Sequence, residues 1–174
     1  MDQFFVQTVM RILLGIIPVV AVGALFLWWR FFHIARPEMP PLSIDPDDPL
    51  MVEARRTATE TVPRFREAQA QPNNGARVKV PFVTSSGITE FLWAEVLSLR
   101  GDQMDLRYLT PPVTHTGRVE RLHTQAVTDL VDWQVELSSG KYLGGFTMRV
   151  MFIRGREQWG NLPAELEAEE AKYE

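Results

Sequence analysis

The chain has 174 residues, a formal net charge of −4 and no cysteine. The absence of cysteine excludes a disulfide framework and a thiol nucleophile. Between residues 75 and 160 ten Lys and Arg balance nine Asp and Glu, and no basic stripe with interleaved aromatic residues occurs, which argues against nucleic-acid binding.

An uncharged apolar segment occupies residues 12–29. At about 1.5 Å per residue it is long enough to cross most of the hydrocarbon core of a bilayer. It ends in Trp28, Trp29 and Arg30, residue types that are typical of a membrane interface. A cleaved signal peptide is the alternative, but it would have a shorter apolar region and a cleavage site between small residues. The sequence therefore predicts an uncleaved single-pass anchor.

The arginines around this segment bear on the orientation of the anchor. Arg11 precedes it, whereas Arg30, Arg36 and further arginines follow it. The positive-inside bias weakly favours a cytoplasmic location for the domain that follows.

A proline-rich stretch over residues 35–48 is expected to be an extended juxtamembrane linker. Asp48 is a suitable N-cap and Pro49 suits the first helical position, so a helix is predicted over residues 49–61. Pro63 is expected to kink or restart this helix, which then continues to about residue 70.

From residue 76 onward the apolar residues alternate with polar ones, as they do in β-strands. Strands are predicted over 78–82, 88–99, 104–108, 127–137 and 146–152, with a hairpin turn at 100–103. For the last of these segments a short helix from Thr147 is the alternative. The tail from Pro163 to Glu174 is expected to be a frayed acidic helix or a disordered end with little to bury.

These elements predict an α+β fold. A single N-terminal transmembrane helix is followed by a small domain in which an N-terminal helix packs on a mainly antiparallel sheet of about five strands. The predicted organisation is an anchor at 1–34, a linker at 35–48, the α+β domain at 49–160 and an acidic tail at 161–174.

Motifs for known chemistry are absent from the sequence. It contains neither a phosphate-binding glycine loop nor a Gly-x-Ser-x-Gly nucleophile motif. His115 and His123 lie eight residues apart without a carboxylate at metal-ligand spacing. We therefore assign no catalytic residue, metal ligand or cofactor.

Two carboxylates, Glu90 and Asp129, share predicted strand faces with apolar residues. Buried carboxylates need partners, and Arg149 and Thr147 are the candidates. The pairing is either architectural, or part of a binding pocket beside the tryptophans, or catalytic. The candidate binding residues are Glu90, Trp93, Asp129, Asp132, Trp133, Thr147 and Arg149.

Five short motifs in this order resemble the YegJ-like bacterial family of unknown function, over about residues 50–153. They lie at 62–65, 78–82, 90–93, 132–133 and 144–149. The chain departs from the family pattern at Phe91, where a histidine is expected, and at 109–112, where an Asn-x-Pro-like turn is expected. The resemblance implies an α+β domain without an established activity.

Two functions are compatible with the sequence. The first is a non-catalytic binding or accessory module of a bacterial envelope or toxin–immunity system, anchored in the inner membrane, that presents a sheet face to a protein partner. The alternative is a small hydrolase or transferase that uses Glu90, Asp129 or Asp132 as a general base and Arg149 to hold an anionic substrate.

Overall fold

The computed structural model describes residues 40–174, so the predicted anchor at 1–34 lies outside the described residues. Over residues 40–174, no helix is both long and apolar enough to span a bilayer. Residues 42–174 form one compact unit.

Two helices open this unit, as the sequence predicts. Helix α1 spans Pro49–Glu60, and α2 spans Val62–Gln69. The Asp48 side chain caps α1 by accepting a hydrogen bond of 2.8 Å from the backbone N–H of Leu50. Pro63 lies in the first turn of α2, where its missing N–H leaves no hydrogen bond unmade.

Six antiparallel strands form the sheet of the described region, in the order β4-β3-β2-β1-β5-β6. The strands are β1 Gly75–Val83, β2 Thr89–Arg100, β3 Gln103–Tyr108, β4 Leu122–Ala126, β5 Asp132–Glu136 and β6 Tyr142–Gly144. Helices packed with an antiparallel sheet confirm the α+β class. The predicted hairpin turn between β2 and β3 is also confirmed.

The hydrophobic core lies between the sheet and the first two helices. Trp133 of β5 is fully buried, its ring centroid is 5.6 Å from that of Phe65, and its indole N–H donates to the carbonyl of Ala58 over 3.1 Å. Val78 and Val80 of β1 are also fully buried. Because side chains alternate along a strand, Lys79 between these valines lies on the opposite face of the sheet.

The predicted last strand at 146–152 is wrong. These residues begin helix α3, Phe146–Trp159, which corresponds to the alternative of a helix from Thr147. A period-2 pattern over only seven residues does not exclude a helix. The decisive interaction comes from a distant residue, since the N-terminus of α3 is capped by Asp132.

The predicted strand at 127–137 is shorter than expected, since Val127–Asp129 is a 3-10 turn and β5 begins at Asp132. Strands β4 and β6, only five and three residues long, were not predicted. The sheet therefore has six strands rather than about five in the described region.

The C-terminal tail contains helix α4, Ala164–Glu170. Helix α4 has no buried residue, which agrees with the expectation of an acidic helix with little to bury. Beyond this helix the partly buried Tyr173 ring packs 5.2 Å from that of Tyr142, so the end of the chain contacts the folded unit. The described end of the linker also packs on the unit, where Arg154 Nε donates to Asp48 over 2.8 Å.

Candidate functional site

A row of three side chains crosses the middle of the sheet. Lys79 of β1 is paired in register with Trp93 of β2 on one side and with Asp132 of β5 on the other. Directly paired residues of antiparallel strands point to the same face of the sheet. This face is opposite to the one that carries Val78, Val80 and Trp133.

Asp132 is fully buried and accepts four hydrogen bonds. Oδ1 accepts from the backbone N–H groups of Trp133, at 2.8 Å, and Phe146, at 3.1 Å. Oδ2 accepts from the backbone N–H of Thr147, at 2.7 Å, and from its hydroxyl, at 2.6 Å. A carboxylate offers about four acceptor positions, so those of Asp132 are occupied.

These contacts make Asp132 the cap of helix α3. The residue at the N-cap position, Gly145, has no side chain, and its φ of 66° is in the left-handed region. The carboxylate of a neighbouring strand therefore satisfies the free N–H groups and lies at the positive end of the helix dipole. Burial raises the pKa of Asp132, and the hydrogen bonds from Thr147, Trp133 and Phe146 oppose this rise.

Lys79 reaches the same cluster from β1. Its Nζ lies 3.5 Å from Thr147 Oγ1 and 6.0 Å from the centroid of the Trp93 ring. The Thr147 hydroxyl donates its proton to Asp132, so the Thr147 oxygen acts as the acceptor of the hydrogen bond from Lys79. Burial lowers the pKa of Lys79, the charge of Asp132 opposes this, and the charge of Arg55 lowers the pKa further.

A pocket of about 120 Å³ opens beside this cluster. Its walls combine apolar side chains with two cations and a hydroxyl group. They include Met51, Arg55, Lys79, Phe91, Val131 and Thr147. Arg55 comes from α1, and one of its N–H groups donates to the carbonyl of Pro46 over 2.6 Å.

The sheet face next to the pocket remains partly open. Phe91 of β2 is 39% exposed at the end of the strand that extends beyond β3, where its register partner is Pro81 of β1, and Trp93 on the same face is partly buried. Beyond them lies a row of alternating charge, in which Glu95 pairs with Arg107 and is in register with Arg77. An aromatic centre with a charged rim is therefore accessible on this face.

Of the predicted binding residues, the structure brings Trp93, Asp132 and Thr147 together through Lys79. Trp133 follows Asp132 in the strand, but its ring lies on the opposite face and packs in the core.

Glu90 does not reach this cluster. Its carboxylate accepts hydrogen bonds from the backbone N–H groups of Val113, at 2.7 Å, and Thr114, at 2.6 Å, and from the Thr114 hydroxyl, at 2.6 Å. Glu90 therefore holds the loop between β3 and β4 in place and is not buried among core residues.

Asp129 and Arg149 also lie elsewhere. Asp129 is exposed in the 3-10 turn, so its predicted position on a buried strand face is wrong. Arg149 of α3 donates to the carbonyls of Gly144, at 3.2 Å, and Glu174. The predicted pairing of Arg149 with Glu90 or Asp129 is therefore not present.

The sequence analysis missed Lys79 and Arg55. Lys79 stands between two buried valines of β1, and this alternation alone places it on the opposite face. The strand register with Asp132 and the position of α1 beside that face are tertiary features, for which the sequence carries no local signal.

Comparisons with known proteins do not extend this description. No family model, curated protein or solved structure matches the chain. The resemblance to the YegJ-like family therefore stays a prediction from the sequence. Within residues 40–174, no group of three His, Cys, Asp or Glu side chains is arranged to hold a metal ion.

Proposed function

We propose that this chain is a non-catalytic binding module that docks a protein partner on the open sheet face around Phe91 and Trp93. The observation that carries this proposal is the 39% exposure of Phe91, an aromatic residue at the end of β2 that extends beyond β3, on the same face as the partly buried Trp93. Interfaces concentrate their binding energy in a few aromatic anchors surrounded by a polar rim. Glu95, Arg107 and Arg77 supply such a rim.

The surroundings of the carboxylates support binding over catalysis. A general base needs a free lone pair directed towards the proton that it removes. The four acceptor positions of Asp132 are occupied. The Glu90 carboxylate accepts three hydrogen bonds from the loop between β3 and β4. Arg149 is engaged by backbone carbonyls, so the groups required by the hydrolase alternative do not converge.

The partner side of this proposal is tested by photo-crosslinking. A photoreactive phenylalanine at position 91 of the full-length chain is expected to capture a discrete partner in cells. The control carries the same group at position 122, where Leu122 is 63% exposed on edge strand β4, and it is expected to capture no partner. The crosslink at 91 should disappear when Trp93→Ala is added. Equal capture at 91 and 122 would contradict a specific face.

Catalysis is tested on the same protein. If the full-length chain turned over a panel of hydrolase substrates and Asp132→Asn abolished the turnover while the fold persisted, the enzyme alternative would replace the binding module. A folded protein without turnover agrees with the binding proposal.

We further propose that residues 12–29 anchor the module in the bacterial inner membrane, with the domain on the cytoplasmic side. The uncharged length of the segment and its Trp-Trp-Arg end support this localisation. Because the chain lacks cysteine, Ser139→Cys in the exposed turn after β5 provides a single label site. A membrane-impermeant maleimide should label it only in permeabilised cells. Labelling in intact spheroplasts would place the domain on the outer side.

A further inference from the structure

The pocket beside the Trp93–Lys79–Asp132 row contains two cations in an otherwise mostly apolar wall. Lys79 is partly buried, and the one hydrogen bond that its ammonium group makes to the described residues is the 3.5 Å contact with Thr147 Oγ1. An ammonium group has three donors, so its hydrogen-bonding capacity is mostly unused. Arg55 has five N–H donors, and one of them donates to the carbonyl of Pro46.

The charge of this cluster favours an anion. Asp132 neutralises one of the two cations, which leaves a net positive charge at the pocket. The Asp132 oxygens already receive four hydrogen bonds, so this carboxylate is not available to bind a cationic ligand. A ligand carboxylate would supply the acceptors that Lys79 and Arg55 lack, and Arg presents a planar fork that matches carboxylate geometry.

The size and walls of the pocket restrict the ligand further. The volume of about 120 Å³ is below the roughly 300–1,000 Å³ of most small-molecule sites, so the part of a ligand that the pocket encloses is small. Met51, Phe91 and Val131 provide an apolar surface next to the cations, which fits a few methylene groups attached to the charged end.

We propose that this pocket binds a carboxylate carried on a short aliphatic group, with Arg55 and Lys79 as the binding cations. The ligand is either a free small carboxylate or the acidic side chain of a bound protein. This inference is separate from the proposed docking of a protein on the sheet face around Phe91 and Trp93, because it rests on the pocket alone and its experiment needs no protein partner.

The experiment is an NMR titration of the full-length chain in detergent with sodium propionate, with propionamide as the neutral control. Saturable shifts at the amides of Lys79, Phe91 and Thr147 are expected with propionate in the millimolar range and not with propionamide. A second titration compares the capped dipeptides Ac-Leu-Glu-NH2 and Ac-Leu-Gln-NH2. Tighter binding of the Glu peptide than of propionate would identify a protein side chain as the source, and the reverse order would identify a free carboxylate.

Three variants decide which residues bind the anion. Arg55→Gln and Lys79→Met should each weaken propionate binding by at least about ten-fold, as expected for the loss of a charge-assisted hydrogen bond. Arg56→Gln is the matched control, because Arg56 follows Arg55 in α1 but is exposed and pairs with Glu53 and Glu60 outside the pocket. Absence of saturable binding to the wild type, or equal weakening by Arg56→Gln, would overturn the proposal. Arg55→Gln keeps the test decisive if Lys79→Met does not fold.

Discussion

The carboxylate of Asp132 in β5 accepts two hydrogen bonds from Thr147 in the first turn of α3, one from the backbone N–H at 2.7 Å and one from the hydroxyl at 2.6 Å. This contact joins residues 15 positions apart and fixes the N-terminus of the helix against the sheet. It also orients the Thr147 oxygen towards Lys79. One buried carboxylate thus supports both the fold and the wall of the pocket.

Asp132→Ala should destabilise the protein by about 3 kcal/mol, because it leaves up to four N–H and O–H donors without an acceptor. Urea unfolding of the full-length chain measures the free energy of unfolding. Asp129→Ala is the matched control and should change it by less than about 0.5 kcal/mol, because Asp129 is exposed. Equal effects of the two substitutions would show that Asp132 does not cap the helix.

Gly144→Ala should prevent stable folding. At a φ of 81°, a Cβ at this position would lie 2.6 Å from Cε3 of the buried Trp133 ring, and neither the ring nor the backbone of β5 has space to move. Gly140→Ala has a similar φ of 77° but meets no atom within 4 Å, so it should cost only about 1–2 kcal/mol of backbone strain. Thermal unfolding followed by circular dichroism compares the two. A folded Gly144→Ala variant as stable as Gly140→Ala would contradict the tight contact.

The contact of Glu90 with the loop at 113–114 should be lost in acid. Hydrogen bonds from the Thr114 hydroxyl and the N–H groups of Val113 and Thr114 lower the pKa of Glu90 below its ordinary value of 4.5. The stabilisation is therefore fully present above about pH 4.5 and disappears as the pH falls through the lowered pKa. The amide shifts of Val113 and Thr114 should titrate with a midpoint below 4.5, and this titration should vanish in Glu90→Gln. A midpoint at or above 4.5 would exclude the contact.

Lys79 should lose its proton at a lower pH than Lys172. Burial lowers its pKa from 10.5, whereas the carboxylate of Glu169 raises the pKa of Lys172. The chain contains only three lysines, so ¹³C-dimethylated lysine signals can be resolved and titrated individually. Arg55→Gln should raise the midpoint of Lys79, since it removes a nearby positive charge. A midpoint for Lys79 at or above that of Lys172 would contradict its buried environment.

Tyr173→Ala should cost about 2 kcal/mol, because the ring packs against Tyr142 and Phe152 and the hydroxyl donates to Gln134 over 3.1 Å. Tyr173→Phe keeps the ring and should cost about 1 kcal/mol, the contribution of the hydrogen bond. Chemical denaturation separates the two values. If Tyr173→Ala left the free energy of unfolding unchanged, the tail would not be part of the folded unit.

The elements with strong local signals were predicted correctly. The cap at Asp48 and the prolines at 49 and 63 determine where α1 and α2 begin, because a cap and a missing N–H act within one turn. The alternation of apolar residues from 76 to 108 and the turn at 100–103 determine the first three strands in the same way. These signals lie within a few residues of the structure that they specify.

The candidate site depended on interactions between distant parts of the chain. The sequence by itself determined, through the alternation of side chains along β1, that Lys79 lies on the face opposite Val78 and Val80. Only the tertiary structure decided that β1 and β5 pair with Lys79 opposite Asp132, and that residues 146–152 form a helix rather than a strand. The reason is physical. Strand register and the capping of a helix by a side chain 14 residues away are set by packing and by the satisfaction of buried donors, and neither is encoded in the local periodicity.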